Sequence, residues 1–83
     1  MQNIPHETAI KAFRKLGFNV ELRELQITVL REAEFPFRRL TLPNHSLISQ
    51  ELLEVYLDDL QIDKRTFWTI LDQFSVNGQA PSK

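Results

Sequence analysis

Cysteine is absent from the 83-residue chain, which removes disulfides, thiolate nucleophiles and cysteine-ligated zinc together. Glycine occurs only at Gly17 and Gly78. There is therefore no glycine-rich loop to cradle a phosphate and no Gly-x-Ser-x-Gly nucleophile elbow. Histidine is nearly as scarce, at His6 and His45 alone. They lack His-Glu-x-x-His spacing and fall short of the roughly three or four ligands zinc takes, so neither a metal nor another cofactor is expected. Long hydrophobic runs are missing too, with nothing near the ~18 apolar residues of a membrane span. No basic-then-apolar leader opens the sequence. A cytoplasmic chain without a membrane partner is the expectation.

What remains is the composition of an ordinary globular domain, 42% hydrophobic and 25% charged, rather than a disordered one. A chain this size buries about 60–65% of its unfolded surface and forms one modest core. Residues 1–76 read as a single domain and 77–83 as a flexible C-terminal tail. Net charge is −1 but unevenly spread. Residues 1–45 hold seven basic against five acidic side chains, a balance of +2, and residues 46–83 hold three against six, a balance of −3. That mild dipole excludes a strongly basic nucleic-acid binder while leaving room for one basic face.

Periodicity sets the element order. Pro5 suits the first position of a helix, and Ala9, Ile10, Phe13 and Leu16 recur at helical spacing up to Gly17, a left-handed stop. Lys11, Arg14 and Lys15 then share one face. After Gly17 the period becomes two. Phe18, Val20 and Leu22 define one strand, Leu25, Ile27 and Val29 a second, and Arg38, Leu40 and Leu42 a third, ended by Pro43-Asn44. Short links predict an antiparallel meander. Its outward face would carry Asn19, Glu21, Arg23, Gln26, Thr28, Leu30, Phe37, Arg39 and Thr41. Arg38 would then stand at the sheet edge with its head in water. Ser49 is a good N-cap for a helix striped by Leu52, Leu53, Tyr56, Leu57 and Leu60. Asp63 can cap a last helix carrying Phe67, Ile70, Leu71 and Phe74, closed by Asn77-Gly78. The predicted fold class is α+β: helix, three-stranded antiparallel sheet, helix, short C-terminal helix.

That order is the core order of double-stranded-RNA-binding folds, which read shape and phosphates. The KH Gly-x-x-Gly loop and the aromatic RRM strand motif are absent. Three segments carry a closer likeness: Ala12-Phe13-Arg14-Lys15-Leu16-Gly17-Phe18, Arg39-Leu40-Thr41-Leu42-Pro43-Asn44-His45, and Ile48 with Leu52 through Asp63 and on to Phe67. In these the chain resembles the HicA-like (YcfA-type) small RNA-cleaving toxins, with an opening helix ending in Leu-Gly-Phe and a strand running into Pro-x-His. The resemblance implies a double-stranded-RNA-binding-like fold. It also implies a Gly-Ser-His motif in the second strand, whose histidine acts in RNA cleavage. That motif is missing, since neither glycine nor histidine occurs between Phe18 and Asn44. Of the family pattern only His45, its strand-ending histidine, carries over. Losing an acid–base imidazole removes roughly 10²–10⁴ in rate, so a catalytically degenerate domain is expected.

Three functional readings follow. In the first, Lys11, Arg14, Lys15, Arg39 and His45 bind RNA, with the bland alternative of a solvated helix face and a turn histidine. In the second, Leu30, Phe37 and Trp68 form an interface to a protein partner, a HicB-like antitoxin or a second copy; Trp68 otherwise reads as a core-edge residue. In the third, an active toxin-type endoribonuclease works through His45.

Overall fold

The change from a helical to a two-residue period at Gly17 marks where the first helix hands over to a sheet. The computed structural model describes residues 3–79. In chain order they form β1 (Asn3–Pro5), α1 (His6–Lys15), β2 (Phe18–Arg23), β3 (Ile27–Glu32), β4 (Arg39–Pro43), β5 (Leu47–Ser49), α2 (Gln50–Leu60) and α3 (Lys64–Gln79). The class is α+β, as the pattern predicts. Gly17 sits at φ +103°, a conformation that costs a side-chain-bearing residue dearly. Pro5 stands just ahead of α1 in extended geometry rather than inside it.

The meander forms a three-stranded antiparallel sheet in the order β2-β3-β4. Its register pairs Val20 with Leu30 and Leu30 with Leu40, and Thr28 with Leu42. One expectation fails here. Leu30 and Thr28 are fully buried, so they belong to the helix-covered face and not to the outward one. β3 is apolar on both faces, and a period of two cannot choose between them. Pairing with Leu40 and Leu42 makes the choice, turning Ile27 and Val29 outward. Leu25 leaves the strand for the β2–β3 turn and is 91% exposed. A bulge between Val20 and Leu22 shifts the end of β2 by one residue, so Leu22 faces outward opposite Val29.

Helices cover the inner face. Phe13 on α1 meets Phe18 on β2 edge-on at 5.7 Å and Phe67 on α3 at 4.8 Å, so one aromatic trio ties two helices to the sheet. Each fully buried phenylalanine contributes about 1.5–3 kcal/mol. Ser49 Oγ accepts the Leu52 amide at 3.1 Å and Asp63 Oδ2 accepts the Thr66 amide at 2.9 Å, the two caps expected. α2 ends on Gln61 at φ +57°, a left-handed stop without glycine. α3 is the longest helix among the described residues and runs through Asn77 and Gly78 to Gln79, so it is neither short nor closed at Asn77-Gly78. Residues 80–83 of the expected tail lie outside the described residues.

A second, two-stranded sheet lies outside the predicted order. β1 pairs antiparallel with β5, with Ile4 opposite Ile48 and both buried. The His6 amide donates to the Ser46 carbonyl at 3.0 Å, extending the ladder. This ribbon places the start of α1 beside the loop that precedes α2.

Arg38 also differs from expectation. Its guanidinium is bonded to both Glu32 oxygens, at 3.0 and 2.9 Å, and to the Leu60 carbonyl at the end of α2. It bridges sheet and helix instead of reaching into water. The Arg38 hydrogen bonds hold the Glu32 carboxyl below its ordinary value.

Candidate functional site

Three basic residues on one face of α1 come together as their spacing predicts. Lys11, Arg14 and Lys15 are exposed and line one cleft of about 320 Å³ with Asn19 of β2 and Phe74 of α3. Among the described residues none of the three is ion-paired, whereas Arg23, Arg31, Arg38, Arg39 and Lys64 each have a carboxylate partner. The cleft thus presents positive charge without internal compensation. Arg14 and Lys15 also lie in the last turn of α1, where the helix dipole favours cations.

Arg39 does not join this group. It lies on the outward sheet face and grips Glu21 in a two-pronged pair at 2.7 and 3.1 Å. Those bonds keep the Glu21 carboxyl below its ordinary value. Arg31 reaches the same carboxylate at 4.0 Å. The outward face therefore carries an arginine–glutamate cluster in which two guanidiniums share one carboxylate, with Asn19 at its edge in the same residue row.

The expected partner interface separates into three places. Leu30 is fully buried and contributes to the core alone. Phe37 lies in the β3–β4 turn at φ +60°, outside any strand. It is 47% exposed and packs edge-on against Phe35 at 6.2 Å, with the Arg31 guanidinium 5.7 Å from its ring centre. Phe35 is 85% exposed. Trp68 is half-buried and packs edge-on against Phe67. It borders a depression of about 270 Å³ with Ile4, Pro5 and Gln50 among its walls.

His45 is exposed and lines a second cleft, about 500 Å³, together with His6, Arg23, Asn44 and Ser46. His6 is not among the residues that the sequence singles out for binding. Strands of three residues carry no readable period, so the ribbon that brings the two histidines to one cleft left no signal. Asn44 holds the floor in place. Its amide nitrogen donates to the Glu24 carbonyl at 2.7 Å, its backbone N–H to the Gln26 carbonyl at 2.9 Å, and its Oδ1 accepts the buried Thr28 hydroxyl at 2.6 Å. Asn44 thereby closes the β2–β3 turn.

Among the described residues no group of three or more histidine, aspartate or glutamate side chains is arranged to hold a metal. No described helix is long and apolar enough to cross a membrane. No protein-family model, curated protein or solved structure matches the chain.

Proposed function

We propose that the chain is a HicA-like domain of double-stranded-RNA-binding-like type that has lost the family's cleavage chemistry and binds RNA through its backbone. The observation that carries this reading is the cleft of Lys11, Arg14 and Lys15, three cations with no carboxylate partner among the described residues. Phosphate contacts of this kind position a nucleic acid without reading its sequence. Arg39 is withdrawn from the reading because Glu21 already occupies its guanidinium.

Filter binding of an RNA hairpin over a salt series tests it. Three neutralised phosphates give a log–log slope of about −2.1 to −2.7, a loss of roughly 20- to 40-fold between 50 and 200 mM salt. Each of Lys11→Gln, Arg14→Gln and Lys15→Gln should lower the slope by about 0.7–0.9. Binding that is absent, or indifferent to salt, refutes the reading. The hairpin should emerge uncut, since no imidazole stands between Phe18 and Asn44.

The Phe35–Phe37 pair favours a second reading, a protein-interaction module engaging a HicB-like antitoxin or another copy. Two exposed aromatic rings beside an arginine match the residue types that dominate interfaces. A partner released by Phe37→Asp, with RNA irrelevant, would establish it.

A further inference from the structure

Two cationic or hydrogen-bonding groups in the histidine cleft converge on a single anionic oxygen. Glu7 Oε2 lies 3.4 Å from His6 Nδ1 and 3.6 Å from Arg23 Nη1. Because a carboxylate only accepts, Nδ1 is the donor to it. The His6 ring is nine-tenths buried, and its Nε2 has no partner. The Glu7 side chain is 66% exposed and belongs to the first turn of α1, so it is free to swing away. Ser46 and His45 stand on the same cleft wall. Moreover α1 begins without a side-chain cap, unlike α2 and α3, so first-turn amides other than that of His6, which donates to Ser46, are left for an incoming anion.

We propose that this cleft is a phosphate-binding site in which Glu7 is an exchangeable internal anion. A phosphate oxygen takes the position of Glu7 Oε2 between His6 Nδ1 and Arg23 Nη1. His45 and the Ser46 hydroxyl border the remaining oxygens. The occupant is a phosphate group, borne either by a free phosphomonoester or by a nucleic-acid backbone. The site goes beyond the RNA reading, since it needs none of the α1 cations.

The test is a nuclear magnetic resonance titration that follows the His6 and His45 ring protons, the Arg23 side-chain NH and the side-chain signals of Lys11, Arg14 and Lys15. The probes are inorganic phosphate, uridine 3′-monophosphate and the diester uridylyl-uridine. Saturable shifts of His6 and Arg23 with any of the three support the site. Response to the diester assigns it to a backbone, and response to the monoesters alone assigns it to a free or terminal phosphate. Glu7→Gln should tighten binding by about fivefold, the worth of an exposed ion pair. Arg23→Gln should weaken it by about tenfold, the worth of one charge-assisted contact. Both side chains are more than half exposed, so both variants should keep the wild-type melting temperature, which serves as the fold control. Shifts that never saturate, shifts confined to Lys11, Arg14 and Lys15, or a Glu7→Gln variant that binds no tighter overturn the proposal. A triple Lys11/Arg14/Lys15→Gln variant separates the two clefts. Loss of RNA binding with phosphate still held by His6 and Arg23 leaves each site standing on its own evidence.

Discussion

Replacing Asn44 by alanine removes the clamp on the β2–β3 turn, and its cost can be worked from three bonds. The Thr28 hydroxyl, fully buried in β3, loses its acceptor at 2.6 Å. A buried polar group left without a partner costs about 1–3 kcal/mol. The bonds from the Asn44 amide to the Glu24 carbonyl at 2.7 Å and the Leu25 carbonyl at 3.3 Å lie at an exposed turn. Water replaces them, and their loss adds about 0.5–1 kcal/mol. The total is about 1.5–4 kcal/mol, a large share of the roughly 4–12 kcal/mol a chain of this length holds. At about 4–8 °C per kcal/mol, the melting temperature should fall by roughly 6–30 °C. Thr28→Val should cost under about 1 kcal/mol alone, because it removes the buried hydroxyl and leaves only a half-buried Asn44 oxygen. In the Thr28→Val background Asn44→Ala should cost only about 1 kcal/mol. Urea unfolding of the four proteins closes the cycle. Additive effects, with a coupling below about 0.5 kcal/mol, would refute the reasoning.

Other expectations follow from the same contacts. Gly17→Ala should destabilise by about 1–2 kcal/mol from backbone conformation alone, since no atom lies within 4 Å of the added methyl; Gln61→Gly at φ +57° should stabilise by about 0.5–1 kcal/mol, both read by thermal melting. Arg38→Met should cost about 1.5–3 kcal/mol in urea unfolding, because it removes both guanidinium bonds to Glu32, leaving only the backbone N–H bond, and the one to the Leu60 carbonyl. Arg38 hydrogen bonds hold Glu32, and Arg39 hydrogen bonds hold Glu21, below their ordinary 4.5. Their stabilisation is therefore full above about pH 4.5 and lost as pH falls through the depressed values. A melting curve against pH should be flat from neutrality to about pH 5 and drop below it, less steeply in Glu32→Gln; an equal acid slope in that variant would contradict the assignment.

Much of this fold is legible in the residues. Gly17, Ser49 and Asp63 mark element ends by local chemistry, and the structure uses all three as read. The α1 cations are legible for the same reason, since helical spacing alone places Lys11, Arg14 and Lys15 on one face. What fails depends on partners distant in sequence. The facing of Leu30 is decided by Leu40, and the anchoring of Arg38 by Leu60 at the end of another helix. The histidine cleft depends on β1 finding β5. No local pattern announces a pairing between three-residue strands more than forty positions apart.

That ribbon also governs when the cleft exists. Joining Ile4 to Ile48 closes a loop spanning most of the domain, and closure entropy must be met before its few contacts repay it. The meander, built from short links, assembles without it. Both the His6 amide bond to Ser46 and the approach of the two histidines are thus late gains in folding and early losses in opening. In hydrogen exchange the Ile4, His6 and Ile48 amides should exchange ahead of those of β3. A bound anion that braces the cleft would slow them first, which makes this small seam the place where occupancy is recorded in the chain's own breathing.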